Sequence, residues 1–87
     1  MRAVQWRNNV ASLLEEVAKA LVARNDRRAI VAIGTALAYL EKARYGGDTE
    51  AGHLLNQLRE ATHSDDLTER FSFAPGELEA IKKGTKK

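Results

Sequence analysis

Apolar residues recur at three- and four-residue steps along most of this chain, and strand-like alternation appears only in the three residues Phe71-Ser-Phe73. Trp6, Val10, Leu13, Leu14, Val17 and Leu21 share one face of a helix running from about Ala3 to Val22, with Ser12, Glu15, Glu16 and Lys19 opposite. Its exit, Ala23 to Asp26, is short enough that the next helix must fold back antiparallel. That second helix lies between Asn25-Asp26, which can accept hydrogen bonds from the free amides of a first turn, and Gly46-Gly47, which can supply a left-handed stop. Roughly 20 residues separate these marks, about 30 Å of helix.

At about 100° per residue the second helix places Ile30, Ile33, Leu37 and Leu40 on one side, flanked by Ala29, Ala32, Ala36 and Ala43. That side is expected to face the core. Val31, Gly34 and Ala38 fall on the other side, and only Arg28, Thr35 and Lys42 hold a continuous polar strip. A helix apolar over most of its circumference belongs in the middle of an assembly. Gly34 costs up to about 1 kcal/mol relative to alanine inside a helix, which suggests that something requires the space. Three occupants of the Gly34/Ala38 notch compete: the chain's own C-terminal helices, a second copy, or a small molecule.

A third helix is expected from Asp48 or Thr49 to about His63, burying Ala51, Leu54, Leu55, Leu58 and Ala61. Ser64-Asp65-Asp66 marks the start of a short helix containing Leu67 and Phe71. In the last helix Ala74 stands at the cap, Pro75 at the first position and Glu77 at the third. Phe73 is placed to staple onto Leu78, Lys82 and Lys83 complement the dipole, and Gly84 ends the helix. Trp6, Tyr39 and Tyr45 read as core residues. The expected fold is all-α: a small antiparallel helical bundle with two long helices, a third amphipathic helix and short C-terminal helices. Residues 1–84 form one domain and 85–87 a frayed basic tail.

Eighty-seven residues lie near the size at which burial only just outweighs conformational entropy, and pairing of copies is a common remedy. Fourteen Lys and Arg against 12 Asp and Glu leave a net charge of +2, which is no signature of nucleic-acid binding. The absence of cysteine excludes disulfides and thiolate metal sites and fits a cytoplasmic setting. No apolar run approaches the ~18 residues of a membrane span, and no signal peptide is read at the N-terminus.

Few residues are arranged for chemistry. Glu50-Ala-Gly-His53 and Glu60-Ala-Thr-His63 each put a carboxylate and an imidazole on one helical face. Both copies share one helix, about 15 Å apart, whereas di-iron bundles use that spacing on separate helices with further inward glutamates. Two solvated histidines are the simpler reading. Ser12, Ser64 and Ser72 sit in no nucleophile-elbow setting, and Gly46-Gly47 is a turn rather than a phosphate loop. Neither an enzyme nor a cofactor is expected.

What remains is a non-catalytic protein-interaction module: an adaptor, regulator or inhibitor, expected to form a homodimer and to contact a protein partner. Candidate partner-binding residues are Arg24, Arg27 and Arg28, which suit an acidic surface, with Phe71 and Phe73, which can either anchor a partner or plug the bundle. Val31, Gly34, Thr35 and Ala38 form the candidate dimer interface. The alternative is a nucleic-acid-binding regulator using helices two and three as a helix-turn-helix-like pair, with Asn56, Gln57 and Arg59 reading bases. A third class is a ligand-sensing bundle built on the notch.

Overall fold

The computed structural model describes residues 3–83, with side chains from Trp6 onward. Five helices follow in order: α1 (Ala3–Val22), α2 (Asp26–Tyr45), α3 (Thr49–Thr62), α4 (Leu67–Arg70) and α5 (Pro75–Lys83), with no strand among the described residues. The chain is an all-α bundle. α2 lies between α1 and α3, while α5 docks on α1 and α4 closes against α1 and α3. Gly84 and the basic residues after it lie outside the described region.

Local chemistry sets the boundaries. Asn25 caps α2, its Oδ1 accepting from the Arg28 amide at 3.2 Å. The left-handed residue at the other end is Gly47, at φ 99°, whereas Gly46 stays at φ −78°. Asp66 caps α4 by accepting from the Glu69 amide, also at 3.2 Å. At the start of α5 the Ala74 amide donates to Glu77 Oε1 at 2.9 Å, the reciprocal half of a capping box. Between α1 and α2 the turn carries Arg24 at φ 61°, a left-handed position where glycine is ordinarily preferred.

The core is a seam of small and medium side chains that also holds two large aromatic ones, Trp6 and Phe71. Trp6, Val10, Leu14 and Val17 from α1 meet Ala29, Ala32, Ile33 and Leu40 from α2, and Ala51, Leu55, Leu58 and Ala61 from α3. Phe71, at the end of α4, is fully buried in the same cluster, and its ring meets Phe73 edge-on at 6.4 Å. Burying each large apolar side chain contributes about 1.5–3 kcal/mol, so Trp6 and Phe71 weigh heavily in a chain of this size.

Two residues expected in the core lie outside it. Ile30 is 62% exposed and Tyr45 is 83% exposed. The buried arc of α2 runs through Ala29, Ala32, Ile33, Ala36 and Leu40, so it is centred on the alanine flank rather than on the isoleucine–leucine side. Alanine lets helix axes come close, so two neighbours can both reach α2 through it, and Ile30 turns away from both.

Polar side chains tie the ends of the bundle together where the core stops. Trp6 Nε1 donates to Asp48 Oδ2 at 2.9 Å, while Asp48 Oδ1 accepts from the Ala51 amide at 3.1 Å. One carboxylate therefore caps α3 and satisfies the buried indole of α1. Arg7 stacks over the Trp6 ring at 4.7 Å, pairs with Glu50 in the first turn of α3, and donates to the Ile81 carbonyl of α5 at 3.3 Å. Three helices thus meet at two adjacent residues of α1. We expect Asp48→Ala to cost about 2–3 kcal/mol, from the lost cap and an unsatisfied indole N–H. Asp48→Asn keeps an acceptor for the cap and should cost about 1 kcal/mol or less, with denaturant unfolding followed by Trp6 fluorescence distinguishing the two.

Candidate protein-contact surface

Of the large apolar side chains left exposed among the described residues, Ile30, Val31 and Tyr45 all lie on the outward side of α2. Val31 is 63% exposed beside Ile30, and Gly34, Thr35 and Ala38 continue the same face toward Tyr45. Thr35 Oγ1 donates to the Val31 carbonyl at 2.9 Å, so its hydroxyl is satisfied within the helix. A Cβ built on Gly34 meets nothing within 4 Å. Alongside, a groove of about 430 Å³ separates α2 from α1, lined by Ser12, Leu13 and Glu16 on one bank and Arg28, Val31 and Thr35 on the other.

This geometry removes one of the three expected occupants of the notch. α4 and α5 pack on α1, with α4 also touching α3, and neither reaches α2. The C-terminal helices therefore do not cover Gly34 and Ala38. The four candidate dimer residues, Val31, Gly34, Thr35 and Ala38, are brought together on one open face. Ile30 and Tyr45 extend that face and escaped the sequence reading, because their apolar character assigned them to the core.

The basic corner is partly neutralised. Arg28 pairs with Glu16 across the α1–α2 groove, whereas Arg24 and Arg27 are exposed and form no ion pair with another described residue. Val22, 78% exposed, sits beside Arg24 at a shallow depression that Asp26 and Thr68 also line. The two phenylalanines separate in role: Phe71 is inaccessible, and Phe73 is half-buried against the core. Phe71 therefore takes the plugging role of the two that the sequence allowed.

On α3, Asn56, Gln57 and His53 are exposed, as is His63 at its C-terminal cap. Arg59 reaches back to Glu41 of α2 at 2.5 Å, so the cation of that face is engaged within the chain. Glu50 is likewise held by Arg7. A cleft of about 210 Å³ lies between α1, α3 and α5, edged by Arg7, Glu50, His53 and Gln57. Its arginine is already committed to Glu50, the Trp6 ring and the Ile81 carbonyl. Among the described residues no three His, Asp or Glu side chains converge as a metal-binding group, and no helix is long and apolar enough to cross a membrane.

Because the space beside Gly34 is empty and its conformation is helical, Gly34→Ala should stabilise the isolated chain by about 0.5–1 kcal/mol, through helix propensity and a less flexible unfolded state. Thermal unfolding at low micromolar concentration measures the effect. In comparisons with known proteins, no family model matches the chain, and no curated protein or solved structure does so either.

Proposed function

We propose that this protein is a non-catalytic interaction module, an adaptor, regulator or inhibitor acting in a cytoplasmic setting, and that it pairs with a second copy along the outward face of α2. The observation that carries the reading is the exposure of Ile30 and Val31, at 62% and 63%, at the start of a face that stays apolar through Gly34 and Ala38. Scattered exposed apolar residues need no explanation, but a contiguous strip along the central helix of a small bundle marks a contact. Burying it would add apolar area to a core limited by chain length. In this reading Arg24, at the edge of the α2 face, remains free for an acidic protein partner.

The nucleic-acid alternative has weaker support. Asn56 and Gln57 do face outward, but Arg59 is paired with Glu41 and Glu60 is exposed on the same helix. A base-reading helix needs cations free to meet phosphates around it. The ligand-sensing alternative has the groove beside Val31 and Thr35 for a site, but no buried polar side chain aimed into it.

Light scattering over a concentration series tests the proposal. The wild-type chain should approach twice its 9.6 kDa mass at high micromolar concentration. Val31→Glu should hold it at single mass while changing the stability of the isolated chain by no more than about 0.5 kcal/mol, as expected for an exposed position. A wild-type chain that stays monomeric throughout would remove the self-pairing.

The basic corner has a separate test. Arg24→Glu, at a position outside the self-pairing face, should preserve the helical circular-dichroism spectrum and abolish capture of protein partners from nuclease-treated lysate. Unchanged capture would acquit that corner.

A further inference from the structure

The outward face of α2 has a charge pattern that selects one arrangement of two copies. Arg27 lies near the start of the exposed face, and Glu41, Lys42 and Tyr45 lie near its end. On the helical wheel Arg27, Gly34, Ala38 and Tyr45 run down the middle of the face. Ile30 and Glu41 flank it on the α3 side, where Glu41 meets Arg59. Val31, Thr35 and Lys42 flank it on the α1 side, where the groove lined by Glu16 opens.

We infer that a second copy docks its own α2 antiparallel on this face, about a two-fold axis passing between Gly34 and Ala38, with Arg27 of each copy seated against Glu41 and Tyr45 of the partner subunit. The inference rests on reading the chain as a self-pairing contact module and adds the geometry of that pairing. With the axis there, position 27 of one copy stands opposite position 45 of the other; because like flanks meet, Ile30 lies beside Glu41 of the partner subunit and Val31 beside Lys42 of the partner subunit. Arg27 then reaches a carboxylate and an aromatic ring in one neighbourhood, an ion pair joined by a cation–π contact.

Such an operation keeps the α1 sides of the two copies together, so Lys42 of the partner subunit comes over the groove beside Glu16. The two helix dipoles oppose each other, which is favourable. A parallel pair would set Arg27 against Arg27, Tyr45 against Tyr45, and align the dipoles. Like charges facing each other at close range disfavour it. Because every contact is repeated by the symmetry, the interface is self-complementary and closes at two copies.

The area available sets the strength. A helix about 30 Å long and about 10 Å wide offers on the order of 300–400 Å² per copy, well under the ~800 Å² per partner of a standard stable interface. The pairing is therefore weak, with a Kd in the micromolar range or above, and depends on concentration.

The chain has no cysteine, which makes a cross-linking test clean. Arg27→Cys and Tyr45→Cys variants are prepared separately, one carrying an isotopic label, and treated with a flexible bismaleimide linker, alone and mixed. Mass spectrometry should find the mixed product, joined between position 27 of one copy and position 45 of the other, with Tyr45→Cys alone giving at least about tenfold less. Adding Val31→Glu to both variants should reduce the mixed product about tenfold, separating docking from random collision. Strong self-linking of Tyr45→Cys would show a parallel pair and overturn the inference. Light-scattering dimers that yield no mixed product would also overturn it, placing self-association on another face while leaving the contact-module reading intact. Chains that stay monomeric at every concentration would overturn the pairing itself, and lysate capture would then decide separately whether the chain is a module for other proteins.

Discussion

The surface of this protein follows from how α2 is approached by its neighbours. α1 and α3 both pack on it, and the residues of α2 buried there are Ala29, Ala32, Ile33, Ala36 and Leu40. Alanine contacts bring backbones close and use little of the circumference of α2. The rest of that circumference, including Ile30, Val31, Gly34 and Ala38, is left to solvent in the single chain.

The same economy explains why polar contacts carry so much of the bundle's cohesion at its ends. Among its described residues α5 has none fully buried, and its backbone packs on α1. Leu78 and Ile81 pack partly against the core, and the Arg7 bond to the Ile81 carbonyl fixes the end of the helix. Arg7 can do this because its guanidinium is also held by the Trp6 ring and Glu50, so little conformational freedom remains to be lost. Asp48 is the counterpart on α3, joining a cap to a buried indole. Ion pairs elsewhere, Glu16 with Arg28 and Glu41 with Arg59, are more exposed and contribute less each. They do settle which arginines of the basic corner remain available, and those are Arg24 and Arg27.

On the proposed reading, a contact module asks little of its side chains beyond shape and charge. His53 of α3 and His63 at its end are exposed, and the glutamate that precedes His53 by one turn is held by Arg7. The organised chemistry of the molecule lies in its packing, and the outward α2 face is where that packing is incomplete. If two copies pair there, burial completes the central helix, and the basic corners of both copies stay outside the seam except for Arg27.

The helices, their order and most of their ends were legible in the order of the residues. Caps, glycine stops and the proline at the start of α5 act within four or five residues, so their geometry follows without long-range contacts. Asn25, Asp48, Asp66 and the Ala74–Glu77 pair behave as those local rules require. Val31, Gly34, Thr35 and Ala38 were likewise readable as a face apart from the main apolar side. Packing of the whole chain was needed to show that Ile30 and Tyr45 join that face, that Phe71 is a plug, and that Asp48 serves Trp6, 42 residues away in the chain. Periodicity says that a residue is apolar and which way it points along its own helix. Which arc of the helix the neighbours cover depends on how closely their backbones approach, and that is settled only when all the helices come together.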